Sequence, residues 1–590
     1  MLKRFFISML GSLTAIWISF MLLAVLCMTM LISSIAGAFS GTTSVTVEKN
    51  SILCLNLDSE IVEYAGNANI YSFLNDQKHT VSLVDIINAL DAAADDDNIT
   101  ALYVKCDGAS AGVATRKAIR DAVLRFKDSG KKVIAYAGAY SQGDYYIASA
   151  ADEVLVNPIG SVELKGLSSG IPFFKNLLDK AGVEMQIVKV GTFKSAVEPY
   201  ILTGMSEANR LQTTAYLDSL WTRMATEIAS SRGIPVSQVN MLADSLLSLT
   251  QASELEKLKI VDGYVYTDEL ISRLKKLSKV TKKGDSPKLI SISDYLASGV
   301  TLPNSKSAEK KIAIYYASGD ITESGKDGIA SDRVVPDILD IADDDDIDAL
   351  VLRVNSGGGS AYASEQIWHA LEVLKSKGKP FYVSMGDVAA SGGYYISCGA
   401  DKIFAEPVTL TGSIGIFGMI PCVKQLLTDK VGVNFDFVST NANSVGINLF
   451  EPMTPFVRAR LQNEINHGYD LFTSRCAKGR HVSQDSIKAI AEGRVWSGGA
   501  AKKIGLVDEL GSLNDAVKAL AKNNKYKKYQ VVSYPDADRS IFDILLDLNS
   551  QMKVKALKED MGVYYPVYEH LQTLKDMAPV QARMEQVVVQ

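Results

Sequence analysis

The segment AASGGYYISCGADKIFAEP, residues 389 to 407, has a counterpart in the first half of the chain, where residues 139 to 158 read AYSQGDYYIASAADEVLVNP. Laying Tyr145-Tyr146 on Tyr394-Tyr395 puts Gln142 opposite Ser391. Outward from there, DDDNITALYVKCDGASAG (95 to 112) matches DDDDIDALVLRVNSGGGSAY (343 to 362). Each is followed by a helix-like segment. A spacing of about 250 residues is far longer than the roughly 20–50 residues of a solenoid unit, so the chain reads as tandem domains of one fold.

Periodicity says what the repeated unit is. ALYVKC and ALVLRV are short apolar runs bounded by acidic turns and glycine-bearing loops, the pattern of buried strands. The segments that follow space apolar residues by three and four, as in Ile367, Ala370, Leu371 and Leu374, and KVIAYAGA and PFYVSMGDVA then read as second strands. Strand, helix, strand, glycine turn, helix, strand is an α/β layout with a largely parallel sheet. The acidic runs Asp95 to Asp97 and Asp343 to Asp346 lack the ligand spacing and turn glycine of a calcium loop, so they read as solvated turns before strands. No metal or cofactor is expected.

From Phe5 to Val47 the chain has no charged side chain, and Lys3 and Arg4 precede the run. A spanning helix needs about 20 apolar residues, whereas a cleaved signal peptide has a core of roughly 7–15. A retained anchor over residues 1–45 is therefore expected, although the small residues of SSIAGAFS would also suit cleavage. Basic residues before the span favour a cytoplasmic N-terminus and put all that follows outside the cytoplasm. With 61 basic against 67 acidic residues and a net charge of −6, nothing in the charge balance calls for nucleic acid. The six cysteines show no CxxC spacing; core packing is favoured for most, with a bridge left open.

Candidate chemistry lies in what each half has lost. The first half carries VEMQIVKVGTFKSAVEP with Lys194 near its centre, while its counterpart VNFDFVSTNANSVGINLFEP offers Asn443 or Ser444 and no lysine. One half keeps Ser391 in a glycine turn and the other keeps Lys194, so a site built across the repeat junction is expected. A serine hydroxyl needs a base to become a nucleophile, and none of the five histidines lies in a glycine-rich turn. A lysine serves if burial lowers its pKa from about 10.4. Gly358 in NSGGGS and Gly392 beside Ser391 are candidate oxyanion donors, with Ser391's own N–H alongside that of Gly392.

RVNSGGGS, ASGGYYIS, EPVTLTGSIGIFG, KVGTFKS and GRVWSGGAAKKIGLVDELG occur in an order that resembles the signal peptide peptidase A (protease IV) family in its long, duplicated form. The resemblance implies two tandem Clp protease/crotonase-like domains, spirals of strand-strand-helix units, behind one N-terminal transmembrane helix. It implies a Ser–Lys dyad protease in the bacterial inner membrane, degrading signal peptides outside the cytoplasm and assembled as a homo-oligomeric ring, a tetramer. Ser413 in TGSIG would then orient the lysine. The expected division is an anchor to 45, a lysine-bearing domain over 46–300, a serine-bearing domain over 301–535, and a C-terminal helical extension over 536–590. A crotonase-like acyl-CoA enzyme would share the fold but not explain an exported domain; a non-catalytic membrane scaffold would leave the divided serine and lysine to accident.

Overall fold

The computed structural model describes residues 11–23, 45–64, 80–282, 284–300, 308–535 and 580–585, with scattered positions between 9 and 30 and between 557 and 562. The expected anchor falls mostly outside these; its described part, 11–23, is helical and exposed. Among the described residues no helix is long and apolar enough to cross a membrane.

Both repeats form the expected α/β layers, and their sheets have the same strand order. The first sheet runs Gly263–Tyr264, Glu153–Val156, Lys132–Ala137, Ile99–Cys106, Ser51–Leu57, Leu289–Ser291, parallel throughout. In the second half Glu509–Leu510, Lys402–Ala405, Phe381–Ala390, Ala349–Ser356, Lys310–Ser318 and Tyr529–Tyr534 repeat that order, again in parallel. The central strands are apolar on both faces because helices cover both. Phe126, Ile119 and Leu90 close one side of the first sheet; Leu270 and Leu274 close the other. The acidic runs are turns, with Asp96 accepting the Asn98 N–H and Asp344 accepting that of Asp346. Five described cysteines are unpaired and buried.

After two long strands of the second half, Lys310–Ser318 and Ala349–Ser356, the chain makes short strands before its helix, as in Ala349–Ser356, Gly358–Ser360 and Ala361–Ser376. These short strands build a third sheet: Ile329–Ala330, Ile321–Thr322, Gly358–Ser360, Val580–Arg583, Phe417–Cys422, Glu184–Lys189. Its last strand comes from the first repeat and pairs antiparallel with Phe417–Cys422, Phe417 opposite Lys189. Its fourth comes from near the C-terminus. The stretch beyond 536, expected to be helical, lies mostly outside the described residues; of those described, 557, 560 and 561 are helical and Val580–Arg583 is a strand.

Buried polar contacts lock the two repeats together. Arg353 donates to both carboxylate oxygens of Glu63, at 2.9 and 3.0 Å, and to Ser384 and the Met385 carbonyl. Asp387 accepts the Ala114 and Thr115 N–H groups at 2.7 and 3.0 Å, capping the helix Val113–Asp128 from the other repeat. A carboxylate suits that position because the first-turn N–H groups lack intrahelical partners.

Candidate active site

Ser391 lies, fully buried, between the strand Phe381–Ala390 and the helix Gly392–Ser397. Its φ of 56° and ψ of −113° are a conformation that side-chain-bearing residues rarely adopt. Its N–H donates to the Gly412 carbonyl and its carbonyl accepts from Tyr395, both at 2.8 Å. These bonds hold the turn in place. They also correct one expectation: the Ser391 N–H is spent on Gly412 and is not the donor expected beside Gly392.

Lys194 follows the strand Glu184–Lys189 in a loop pinned to the second repeat by the bond from the Phe193 N–H to the Glu492 carbonyl, 2.9 Å. The lysine reaches the core only because glycines line its path. A Cβ on Gly493, whose φ is 79°, would lie 2.7 Å from the Lys194 nitrogen. At the end of that path Nζ lies 2.7 Å from Ser391 Oγ and 3.1 Å from both the carbonyl and Oγ of Ser413. Lys194 is 1 % exposed. Burial holds its pKa well below the usual lysine range, and no carboxylate opposes that. A neutral amine has two N–H groups and one lone pair. Two donations to Ser413 leave the lone pair for the Ser391 hydroxyl, which is the arrangement a general base needs.

Ser413 is itself held by its N–H, which donates to the Arg494 carbonyl at 2.7 Å, and is buried with Ser391 and Lys194. The structure therefore brings together all three side chains singled out in the sequence, 197 and 219 residues from Lys194 along the chain. In the first repeat Gln142 does something else. Its amide oxygen accepts the Lys165 and Gly166 N–H groups and its nitrogen donates to the Gly166 carbonyl, clamping a loop. In the second repeat Asn443 and Ser444 are exposed.

Gly358 and Gly392 face one another across a narrow gap: a Cβ on Gly358 would lie 2.7 Å from the Gly392 nitrogen. Oxygens crowd the gap, Ser364 Oγ lying 2.7 Å from a Cβ on Gly392. The Ala582 carbonyl oxygen lies 2.1 Å from where that Cβ would be, and 3.1 Å from a Cβ on Gly392. The Gly358 N–H donates to Ser356 Oγ at 3.1 Å. Sequence reasoning missed the segment that supplies this oxygen. The alternation in Val580-Gln581-Ala582-Arg583-Met584 carries a strand signal, but five residues far from any repeat do not reveal what they pair with.

Peptidase family S49 matches residues 125–281 and 373–527, one stretch in each repeat. "Protease 4" of Haemophilus influenzae is 34% identical over 558 residues, covering 91% of this chain and 90% of that protein. "Protease 4" of Salmonella typhi is 36% identical over 488 residues, covering 81% and 78%. A "Putative signal peptide peptidase SppA" of Enterococcus faecium is 33% identical over 239 residues, 38% of this chain and 67% of that one. Matches to both halves, over nearly the whole length of a relative, leave no room for an acyl-CoA enzyme or a bare scaffold: the chain is a serine protease and belongs to peptidase family S49.

Proposed function

We propose that Ser391 is the nucleophile and Lys194 its general base, in an endopeptidase site assembled from both repeats. The observation that carries this reading is the 2.7 Å contact of a buried lysine amine with a buried serine hydroxyl. Ser391 Oγ attacks the scissile carbonyl as its proton passes to neutral Lys194. The negative oxygen that forms lies between Gly358 and Gly392. Lys194 then returns the proton to the departing amine, leaving an acyl-serine. Water attacks the acyl-serine, losing a proton to Lys194, which returns it to Ser391 Oγ as the acyl–oxygen bond breaks and the acid departs. Ser413 orients the amine as a carboxylate orients histidine in a triad.

The substrates we propose are signal peptides and similar apolar segments, processed outside the cytoplasm by a membrane-anchored enzyme. The uncharged run from Phe5 to Val47 behind Lys3 and Arg4 supports the anchor, and the likeness to the Enterococcus faecium signal peptide peptidase supports the substrate. A homo-oligomeric ring is supported by an unequal use of equivalent segments. The first repeat's 183–189 docks on the second repeat, whereas its counterpart 433–439 forms no strand and exposes Val433, Phe435, Phe437 and Val438. A second copy offering its first repeat would cover them head to tail, and such contacts form a ring where the rotation between copies closes.

The test is hydrolysis of an apolar peptide by Ser391→Ala and Lys194→Ala chains. Both are expected to lose activity while remaining folded; retained activity in Lys194→Ala at neutral pH would remove the lysine from the mechanism.

A further inference from the structure

Two residues of the lysine loop and one of the second repeat meet on a single side chain, Gln212 of the helix Glu207–Arg232, which is 2 % exposed. Its Nε2 donates to the Phe193 carbonyl at 3.1 Å and to Ser195 Oγ at 3.0 Å, the residues on either side of Lys194. Its Oε1 accepts the Val495 N–H at 3.1 Å. Val495 sits where the two serines are fixed. It pairs with Gly412, whose carbonyl takes the Ser391 N–H, and it follows Arg494, whose carbonyl takes that of Ser413. One buried amide thus ties both flanks of the lysine to the stretch that holds both serines. The amide fits only one way round, because Val495 offers a donor and the Phe193 carbonyl an acceptor. Ser195 gives its own proton to Glu585, which leaves its oxygen to accept from Gln212. Behind Gln212, Asn209 turns its nitrogen to the Glu198 carboxylate at 3.1 Å and so presents its oxygen to Gln212 at 3.3 Å. With two hydrogens for three oxygens, Nε2 makes its shorter contacts to the lysine loop.

We propose that Gln212 is a positioning residue for the reaction, fixing the Lys194 amine against Ser391 by tying the lysine loop to the second repeat. This rests on the reading of Lys194 as general base. Nζ makes its own bonds to Ser391 and Ser413, while Gln212 acts on the residues that flank it. Those bonds set where the lysine backbone lies, and a base displaced by about 1 Å costs on the order of 100-fold. They also satisfy the Phe193 carbonyl without water, which helps to keep the neighbouring amine dry and neutral.

The full-length Gln212→Met chain tests this, because methionine fills the space but offers no amide to Phe193 or Val495. Expected on an apolar peptide is a fall in kcat of about 10- to 100-fold with KM unchanged. The acidic limb of kcat/KM should move to higher pH, since a loosened loop admits water to Lys194 and restores part of its ordinary basicity. Gln212→Asn, one methylene too short to span both partners, should change kcat and the limb in the same directions. It serves if the methionine chain does not fold. Lowered stability in urea with wild-type kcat and an unmoved limb overturns the proposal, as does a loss confined to KM. Lys194→Ala separates the two readings. If it is inactive while the folded Gln212 variants turn over as the wild type, only the role of Gln212 falls; if it is active, the base reading falls and the role of Gln212 with it.

Discussion

At the scale of single residues, the decisive quantity is the charge on Lys194. Its amine is buried without a carboxylate, so the neutral form is favoured at a pH where an exposed lysine is charged. Only the neutral form accepts a proton. Activity is therefore expected to fall on the acidic side as pH drops through the depressed pKa, measured as the acidic limb of kcat/KM. Lys194→Arg keeps its charge at every pH and should lose on the order of 100- to 10,000-fold, the range that a positioned base contributes. Ser413→Ala removes one of two acceptors on Nζ and leaves the other, the Ser413 carbonyl. A smaller loss, about 10-fold and in kcat with KM unchanged, should follow, since Ser413 touches the base and not the substrate. Among these residues, Ser391 and Lys194 were legible because a duplicated chain shows each loss against an intact copy. The Ser391 N–H was not. Its diversion to Gly412 depends on a strand that only the folded sheet brings alongside.

Among elements, the strand Glu184–Lys189 does most to assemble the site, and the contacts at the repeat junction fix where it lies. Arg353 and Glu63 are 3 and 4 % exposed in their side chains. Truncating one partner leaves the other charged and buried, so Glu63→Ala should destabilise the chain by about 3–5 kcal/mol in urea denaturation. Gly493→Val is the corresponding probe of the lysine loop. Its backbone needs φ of 79°, and an added side chain would meet the Lys194 backbone, so hydrolysis should be lost at the reacting centre. The C-terminal strand has its own switch. Burial, with Glu198 nearby, pushes the Glu585 carboxyl up to about 7 from 4.5. The docked segment therefore holds that proton more tightly than a free one. Docking is strongest below the free value and weakens as pH rises through the docked value. Protection of 580–585 from amide exchange should decline as pH rises past about 7, and Glu585→Gln should abolish that dependence.

For the molecule as a whole, the proposed sharing of the site predicts that neither repeat is an enzyme alone. Residues 45 to 300 hold the lysine and residues 310 to 535 the serine. Expressed separately they should show no hydrolysis, because a base displaced by about 1 Å already costs on the order of 100-fold. Wild-type activity in the isolated second half would mean that another base works within it. Topology is testable on the same scale. A cysteine introduced at exposed Tyr362 should react with a membrane-impermeant reagent in intact spheroplasts; labelling only after the membrane is broken would refute the extracytoplasmic assignment.

What the sequence alone determined was the repeated unit and the candidate residues of its site. Apolar runs of strand length, helical spacing and glycine turns are local patterns, and the comparison of one half with the other exposed the divided serine and lysine. The tertiary structure decided what no local pattern encodes. That includes the third sheet that draws strands from both repeats and from near the C-terminus, the burial that lowers the Lys194 pKa, and the seating of the Ala582 oxygen beside Gly358. Pairing between edges hundreds of residues apart depends on which edges the rest of the fold leaves open. A short strand such as Val580–Arg583 carries no address for its partner until those edges exist.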